Sequence, residues 1–123
     1  MSTDQNKILV VDDDKINRQL ITEILKSDYQ VILANDAAKA MARAEKHLPD
    51  LILLDIVMPA VDGFELFKQI KNHPSINHIP IIFLTALTLD SEEEAGLMMG
   101  AVDYITKPLR APIVKARIKN HIE

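Results

Sequence analysis

Leu51-Ile52-Leu53-Leu54-Asp55 decides the fold. Four consecutive apolar residues end in one acid, and Ile56-Val57-Met58-Pro59 and the turn pair Asp62-Gly63 follow. A run that is apolar toward both faces predicts a central strand of a parallel sheet covered on both sides. A carboxylate at the carboxyl end of such a strand lies on the sheet edge where open α/β folds place their sites. Asp55 is therefore the first candidate functional residue.

Working outward, Ile8-Leu9-Val10-Val11 is a second short apolar run, and it ends in Asp12-Asp13-Asp14. Ile16, Leu20, Ile24 and Leu25 follow at helical spacing, which predicts a helix over 15–26. Gln30 to Ala34 reads as a β-branched strand, and Asp36 can cap an alanine-rich helix reaching Lys46. Beyond Asp55, Asp62 with Glu65 forms a capping box for a helix whose stripe is Phe64, Phe67 and Ile70. Pro80 to Leu84 is a fourth strand ending at Thr85-Ala86. Ser91 with Glu94 starts another helix, which Gly100 closes, and Glu92 and Glu93 read as its solvated first turn. Val102 to Ile105 is a fifth strand ending at Thr106-Lys107-Pro108, and Val114, Ile118 and Ile122 mark a last helix. Five strands alternating with five helices predict an α/β, doubly wound parallel sheet.

The 123 residues suit one domain with one core, taken as 1–123. A net charge of -4 gives no electrostatic case for nucleic acid or an anionic membrane as partner. Cysteine is absent, which excludes disulfides and thiolate metal sites. The start Met1-Ser2-Thr3-Asp4-Gln5-Asn6 lacks the apolar core of a signal peptide, and no apolar run is long enough to span a bilayer. A cytoplasmic location is expected. The four histidines have no zinc-like spacing, and Met98 and Met99 read as packing. The last helix reaches Glu123 without a stop signal, which suits a longer native chain.

In a parallel sheet the carboxyl ends share one edge, so Asp12, Asp13, Asp55, Thr85 and Lys107 can converge. Each of these alone has an ordinary reading: a loop acid, a helix cap, a strand threonine, a surface lysine. Together they make a charged cluster. Two carboxylates about 4 Å apart repel by roughly 4 kcal/mol at an effective dielectric of 20, so three of them call for a cation or for protonation. An all-oxygen site that keeps several waters suits Mg²⁺, with Lys107 as a second positive charge. That set suits phosphoryl transfer to a carboxylate, with Asp55 as nucleophile and Thr85 and Lys107 on the phosphoryl oxygens.

Val10-Val11-Asp12-Asp13, Leu54-Asp55, Met58-Pro59, Asp62-Gly63, Thr85-Ala86, Asp103-Tyr104 and Lys107-Pro108 run in order along the whole chain. In this the sequence resembles the receiver domain of bacterial two-component response regulators. The resemblance implies a flavodoxin-like fold with strand order 2-1-3-4-5, an order for which this family is a standing example. It implies that Asp55 is the phosphoacceptor, charged from a phosphohistidine of a histidine kinase or phosphotransfer protein. Asp12, Asp13, Asp55 and the Val57 carbonyl would hold Mg²⁺, and Lys107-Pro108 would be a cis peptide. Thr85 and Tyr104 would be the switch pair, triggered by the added phosphoryl charge. Plain core packing is the rival reading of Tyr104. The fourth predicted helix, the fifth strand and the last helix would form the face that controls an output domain or target protein, with a phosphorylation-dependent homodimer as one form of output. Such a domain is not an enzyme toward other substrates; it catalyses only its own phosphorylation and dephosphorylation.

Two positions that vary in the family are apolar here, Val57 and Leu87, and neither can hydrogen-bond a hydrolytic water. A slow decay of the phosphorylated state is expected. Leu109 stands where the family often has phenylalanine. The tail from Lys107 to His121 is similar to receivers fused to cyclic-diguanylate-metabolising domains. Two rival classes fit less well. A phosphatase with an aspartyl nucleophile wants a second acid at the position Val57 occupies, and a flavin- or nucleotide-binding flavodoxin-like domain would not set Asp12-Asp13-Asp14 against a phosphate.

Overall fold

The computed structural model describes residues 5–56, 63–85 and 100–122. In chain order these form β1 (Lys7–Val11), α1 (Lys15–Leu25), β2 (Gln30–Ala34), α2 (Ala37–His47), β3 (Leu51–Asp55), α3 (Gly63–Lys71), β4 (Ile81–Thr85), β5 (Asp103–Thr106) and α4 (Ala111–Ile122). The strands make one five-stranded sheet in the order β2-β1-β3-β4-β5, and every pairing is parallel. This is the doubly wound architecture expected of the sequence. Residues 91–99 of the helix predicted from Ser91 lie outside the described residues, as do Val57, Met58, Pro59, Asp62, Ala86 and Leu87; Gly100, expected to close that helix, is described and has φ 109°.

Alternation along each strand sorts the core into two layers. Leu9, Val11, Ile52, Leu54, Ile81 and Phe83 face α2 and α3, where Ala40, Ala44, Leu66, Phe67 and Ile70 cover them. Ile8, Val10, Leu51, Leu53, Ile82, Leu84 and Ile105 face α1 and α4, under Ile21, Ile24, Leu25, Val114 and Ile118. All five residues of β3 are buried, which is why its sequence shows no alternation. The alanines of α2 let that helix lie close on the sheet.

The helix starts follow their caps. The Asp14 carboxylate accepts from the Ile16 N–H at 2.9 Å and begins α1, and Asp36 accepts from the Lys39 N–H at 2.8 Å and begins α2. One helical face departs from expectation. Ile16 is 72% exposed and Leu20 is 40% exposed, while Ile21, Ile24 and Leu25 fill the core. The spacing 16, 20, 24 is itself a legitimate helical stripe, but the true stripe sits about one residue, or 100°, around the helix.

Candidate functional site

Parity explains why the acids meet. Asp12 follows Ile8 and Val10 on one face of β1, and Asp55 follows Leu51 and Leu53 on the same face of β3. Both are buried, Asp12 fully, and with Thr85 they are the buried polar residues among those described. Asp13 is exposed beside them, and one carboxylate oxygen from each of Asp12, Asp13 and Asp55 lies within 4.8 Å of the others.

Lys107, next in sequence after β5, enters this cluster. Its Nζ lies 3.3 Å from Asp55 Oδ2 and 3.3 Å from Asp12 Oδ2, with only 17% of the side chain exposed. It donates a hydrogen bond to Asp55. Asp12 Oδ2 is at ion-pair distance only and has no hydrogen-bond partner, although it is buried. The other oxygen, Asp12 Oδ1, accepts from the Asp14 N–H at 2.9 Å. The Lys107 N–H donates to the Thr85 carbonyl at 2.7 Å, which ties the lysine loop to β4. The Lys107-Pro108 peptide is cis, as expected.

A second group sits on the opposite face. Thr85 pairs with Thr106, and Phe83 pairs with Tyr104, so Thr85 and Tyr104 are diagonal neighbours on one side of the sheet. The Tyr104 ring packs against the buried cluster that contains Phe67 and Phe83 and also has the Arg117 guanidinium 5.9 Å from its centroid. Tyr104 is thus apart from the acidic cluster. Arg117 is held by Asp103, Nη1 to Oδ1 at 2.8 Å, and His121 Nε2 lies 3.1 Å from Asp103 Oδ2. Burial alone would raise the Asp103 carboxyl, but the Tyr104 N–H, the hydrogen bonds from Arg117 and His121 and the Arg117 charge hold it below the ordinary carboxylate value.

Gly63 was read from the sequence only as part of the turn pair and motif Asp62-Gly63, and Arg18 was not read from it at all. Gly63 N–H donates to the Ile56 carbonyl at 2.6 Å, and a Cβ at Gly63 would press on the Asp55 carbonyl oxygen and come 2.6 Å from the Ile56 Cα. Glycine is required there because α3 starts against the end of β3. Arg18 Nη1 donates to the Asp12 carbonyl at 2.8 Å. The available signal was its place four residues after the Asp14 cap, from which a helical side chain leans back over the first turn.

The donor set fits a hard divalent cation: three carboxylates, no nitrogen or sulfur ligand, and a buried carboxylate oxygen lacking a hydrogen bond. Three carboxylates face one ammonium, so negative charge is in excess.

Comparison with known proteins agrees with this geometry. The model of the response regulator receiver domain family matches residues 8–119. The polar-differentiation response regulator DivK of Brucella anthropi is 34% identical over 116 residues, covering 94% of each chain. A Vibrio cholerae protein named "Probable cyclic di-GMP phosphodiesterase" is 39% identical over 119 residues, which is 97% of this chain and 27% of that one. The solved structure of the chemotaxis protein CheY4 of Vibrio cholerae superposes with a TM-score of 0.89 at 30% identity, over 95% of this chain and 98% of that one. The chain spans 25% to 47% of the length of the first four curated relatives. Among the described residues no helix is long and apolar enough to cross a membrane. A family match over nearly the whole chain, on a sheet whose edge gathers these acids and one lysine, makes this protein a member of the response regulator receiver domain family.

Proposed function

We propose that this chain, residues 1–123 taken as one receiver domain, is a phosphorylation-dependent switch whose phosphoacceptor is Asp55. The observation that carries the reading is the junction of Asp12, Asp13 and Asp55 within 4.8 Å, with Lys107 reaching two of them. An Asp55 carboxylate oxygen attacks phosphorus, the P–N bond of a phosphohistidine breaks, and the imidazole leaves with its electron pair and takes a proton. Lys107 needs little movement to pair with a phosphoryl oxygen, since it already touches Asp55. The Thr85 hydroxyl would bond another, and burial of Asp55 and Thr85 keeps bulk water from the new bond.

Asp12, Asp13 and Asp55 would hold Mg²⁺, together with the Val57 carbonyl, which lies outside the described residues. When bound, the ion neutralises phosphoryl charge. The phosphodonor would be a histidine kinase or phosphotransfer protein in the cytoplasm. The diagonal placement of Thr85 and Tyr104 supports their reading as the switch pair, coupling the phosphorylated edge to a face made of the helix predicted from Ser91, β5 and α4. That face would act on an output domain or target protein, or on a second copy in a phosphorylation-dependent homodimer. The similarity to a protein named as a cyclic di-GMP phosphodiesterase supports an output of that kind. No catalysis beyond its own phosphorylation and dephosphorylation, and no direct binding of nucleic acid, is proposed.

The test is incubation with acetyl phosphate and Mg²⁺, read by intact mass. Wild type should gain one phosphoryl group and Asp55→Asn none. Equal labelling of the Asn variant would overturn the assignment.

A further inference from the structure

Each polar group of Asp12 but one is already hydrogen-bonded, and that one, Oδ2, has only the ion pair to Lys107 at 3.3 Å. Its N–H donates to the Ala34 carbonyl at 3.1 Å, its Oδ1 accepts from Asp14, and its carbonyl accepts from Arg18 Nη1 at 2.8 Å. Only Oδ2, fully buried and without a hydrogen bond, is left facing the cluster. The carbonyl that Arg18 grips belongs to the peptide joining Asp12 to Asp13. That one plane therefore sets the departure of both acids. Asp13 depends on it most, because its carboxylate makes no hydrogen bond or ion pair among the described residues and stands in solvent.

Arg18 is itself well anchored. Its N–H donates to the Asp14 carbonyl at 3.0 Å, in the first turn that Asp14 caps, and its carbonyl accepts from the Thr22 hydroxyl at 2.8 Å. The guanidinium is thus carried on a rigid element and leans back along the helix to the strand end. We propose that Arg18 is a positioning residue of the acidic cluster, holding the Asp12–Asp13 peptide so that the two carboxylates are spaced for a small divalent cation. This rests on the cation reading of the site given above.

The sign of the effect separates positioning from charge. A guanidinium beside a cation site repels the cation, so on Coulomb grounds alone its removal tightens Mg²⁺ binding. Loss of positioning does the reverse. Mg²⁺ demands near-ideal octahedral geometry, whereas Ca²⁺ accepts looser and more varied oxygen sets. The penalty should therefore fall on Mg²⁺.

The experiment titrates the full chain with MgCl₂ and with CaCl₂ at constant ionic strength, following backbone amide NMR shifts of residues 12–14 and 55. Wild type, Asp13→Asn, Arg18→Met and Arg18→Lys are compared, with thermal unfolding in chelator as a control. Arg18→Met keeps the aliphatic stem and helix propensity while removing the donors. It is expected to weaken Mg²⁺ about tenfold and Ca²⁺ less than about twofold, as loss of a supporting contact to a ligand does. Arg18→Lys, which returns one donor, is expected within about threefold of wild type for Mg²⁺. Unchanged or tighter Mg²⁺ binding in Arg18→Met, or equal weakening of both ions, overturns the proposal while leaving the cation site intact. Absence of a saturable Mg²⁺ response in wild type, or an Asp13→Asn variant that binds like wild type, overturns the cation reading itself and the proposal with it.

Discussion

Lys107 reaches across the sheet edge to Asp55: its Nζ lies 3.3 Å from Oδ2, although the lysine follows β5, Asp55 ends β3, and β4 runs between them. The contact is possible because both residues stand at carboxyl ends of parallel strands, where adjacent tips are separated only by the strand spacing. It leaves one ammonium facing three carboxylates.

That excess negative charge predicts that Asp55→Asn is more stable than wild type when no divalent ion is present. The gain should be on the order of 1 kcal/mol, since relief of repulsion is partly offset by the weakened contact to Lys107. Denaturant unfolding in chelator measures it. Added Mg²⁺ should narrow the gap by binding the folded wild type more strongly. An Asn variant less stable than wild type in chelator would contradict this.

Gly63→Ala should cost about 1–3 kcal/mol, because the new methyl meets backbone rather than a side chain that can move aside. The backbone it displaces carries Asp55, so labelling by acetyl phosphate should slow as well. Unfolding midpoints and labelling rates check the two effects together. An Ala variant with wild-type stability would show that the start of α3 shifts freely.

Asp103 should contribute to acid stability. Its carboxyl is held below the ordinary value in the folded chain, so its contribution is fully present above the unfolded value of about 3.9 and is lost as pH falls through the lower folded value. Asp103→Asn should therefore be less stable than wild type at neutral pH, and the difference should shrink in strongly acidic solution. The effect is modest, because Arg117 is 43% exposed and screened by solvent. Stability measured from pH 5 down to pH 2 tests the sign, and a difference that grows over that range would contradict it.

Val57→Asn should shorten the lifetime of the phosphorylated state by several-fold, because an amide two residues after Asp55 can hydrogen-bond a hydrolytic water and valine cannot. Loss of the added mass with time after removal of the phosphodonor reads it out. An unchanged lifetime counts against the slow-decay expectation.

The sheet was legible because strands buried on both faces must be apolar throughout, as in Leu51–Leu54 and Ile81–Leu84. The convergence of Asp12, Asp13, Asp55 and Lys107 was legible because parallel topology brings the residues after such runs to one edge. The face of α1 was not. Ile16 and Leu20 keep helical spacing yet face solvent, and only packing against β1 and α4 selects Ile21, Ile24 and Leu25. Gly63 escaped notice as more than a turn residue, because its role depends on the distance between a helix start and a strand end. The role of Arg18 was not legible, since its target is a backbone carbonyl that no side-chain pattern reveals.

The most direct measurement locates the phosphoryl group. After labelling with acetyl phosphate and Mg²⁺, borohydride reduction converts an aspartyl phosphate to homoserine, and peptide mass spectrometry finds the altered residue. Homoserine at position 55, with unmodified aspartate at 12 and 13, is the result the account predicts. Homoserine at another acid, or none in a chain that has gained phosphoryl mass, would contradict it.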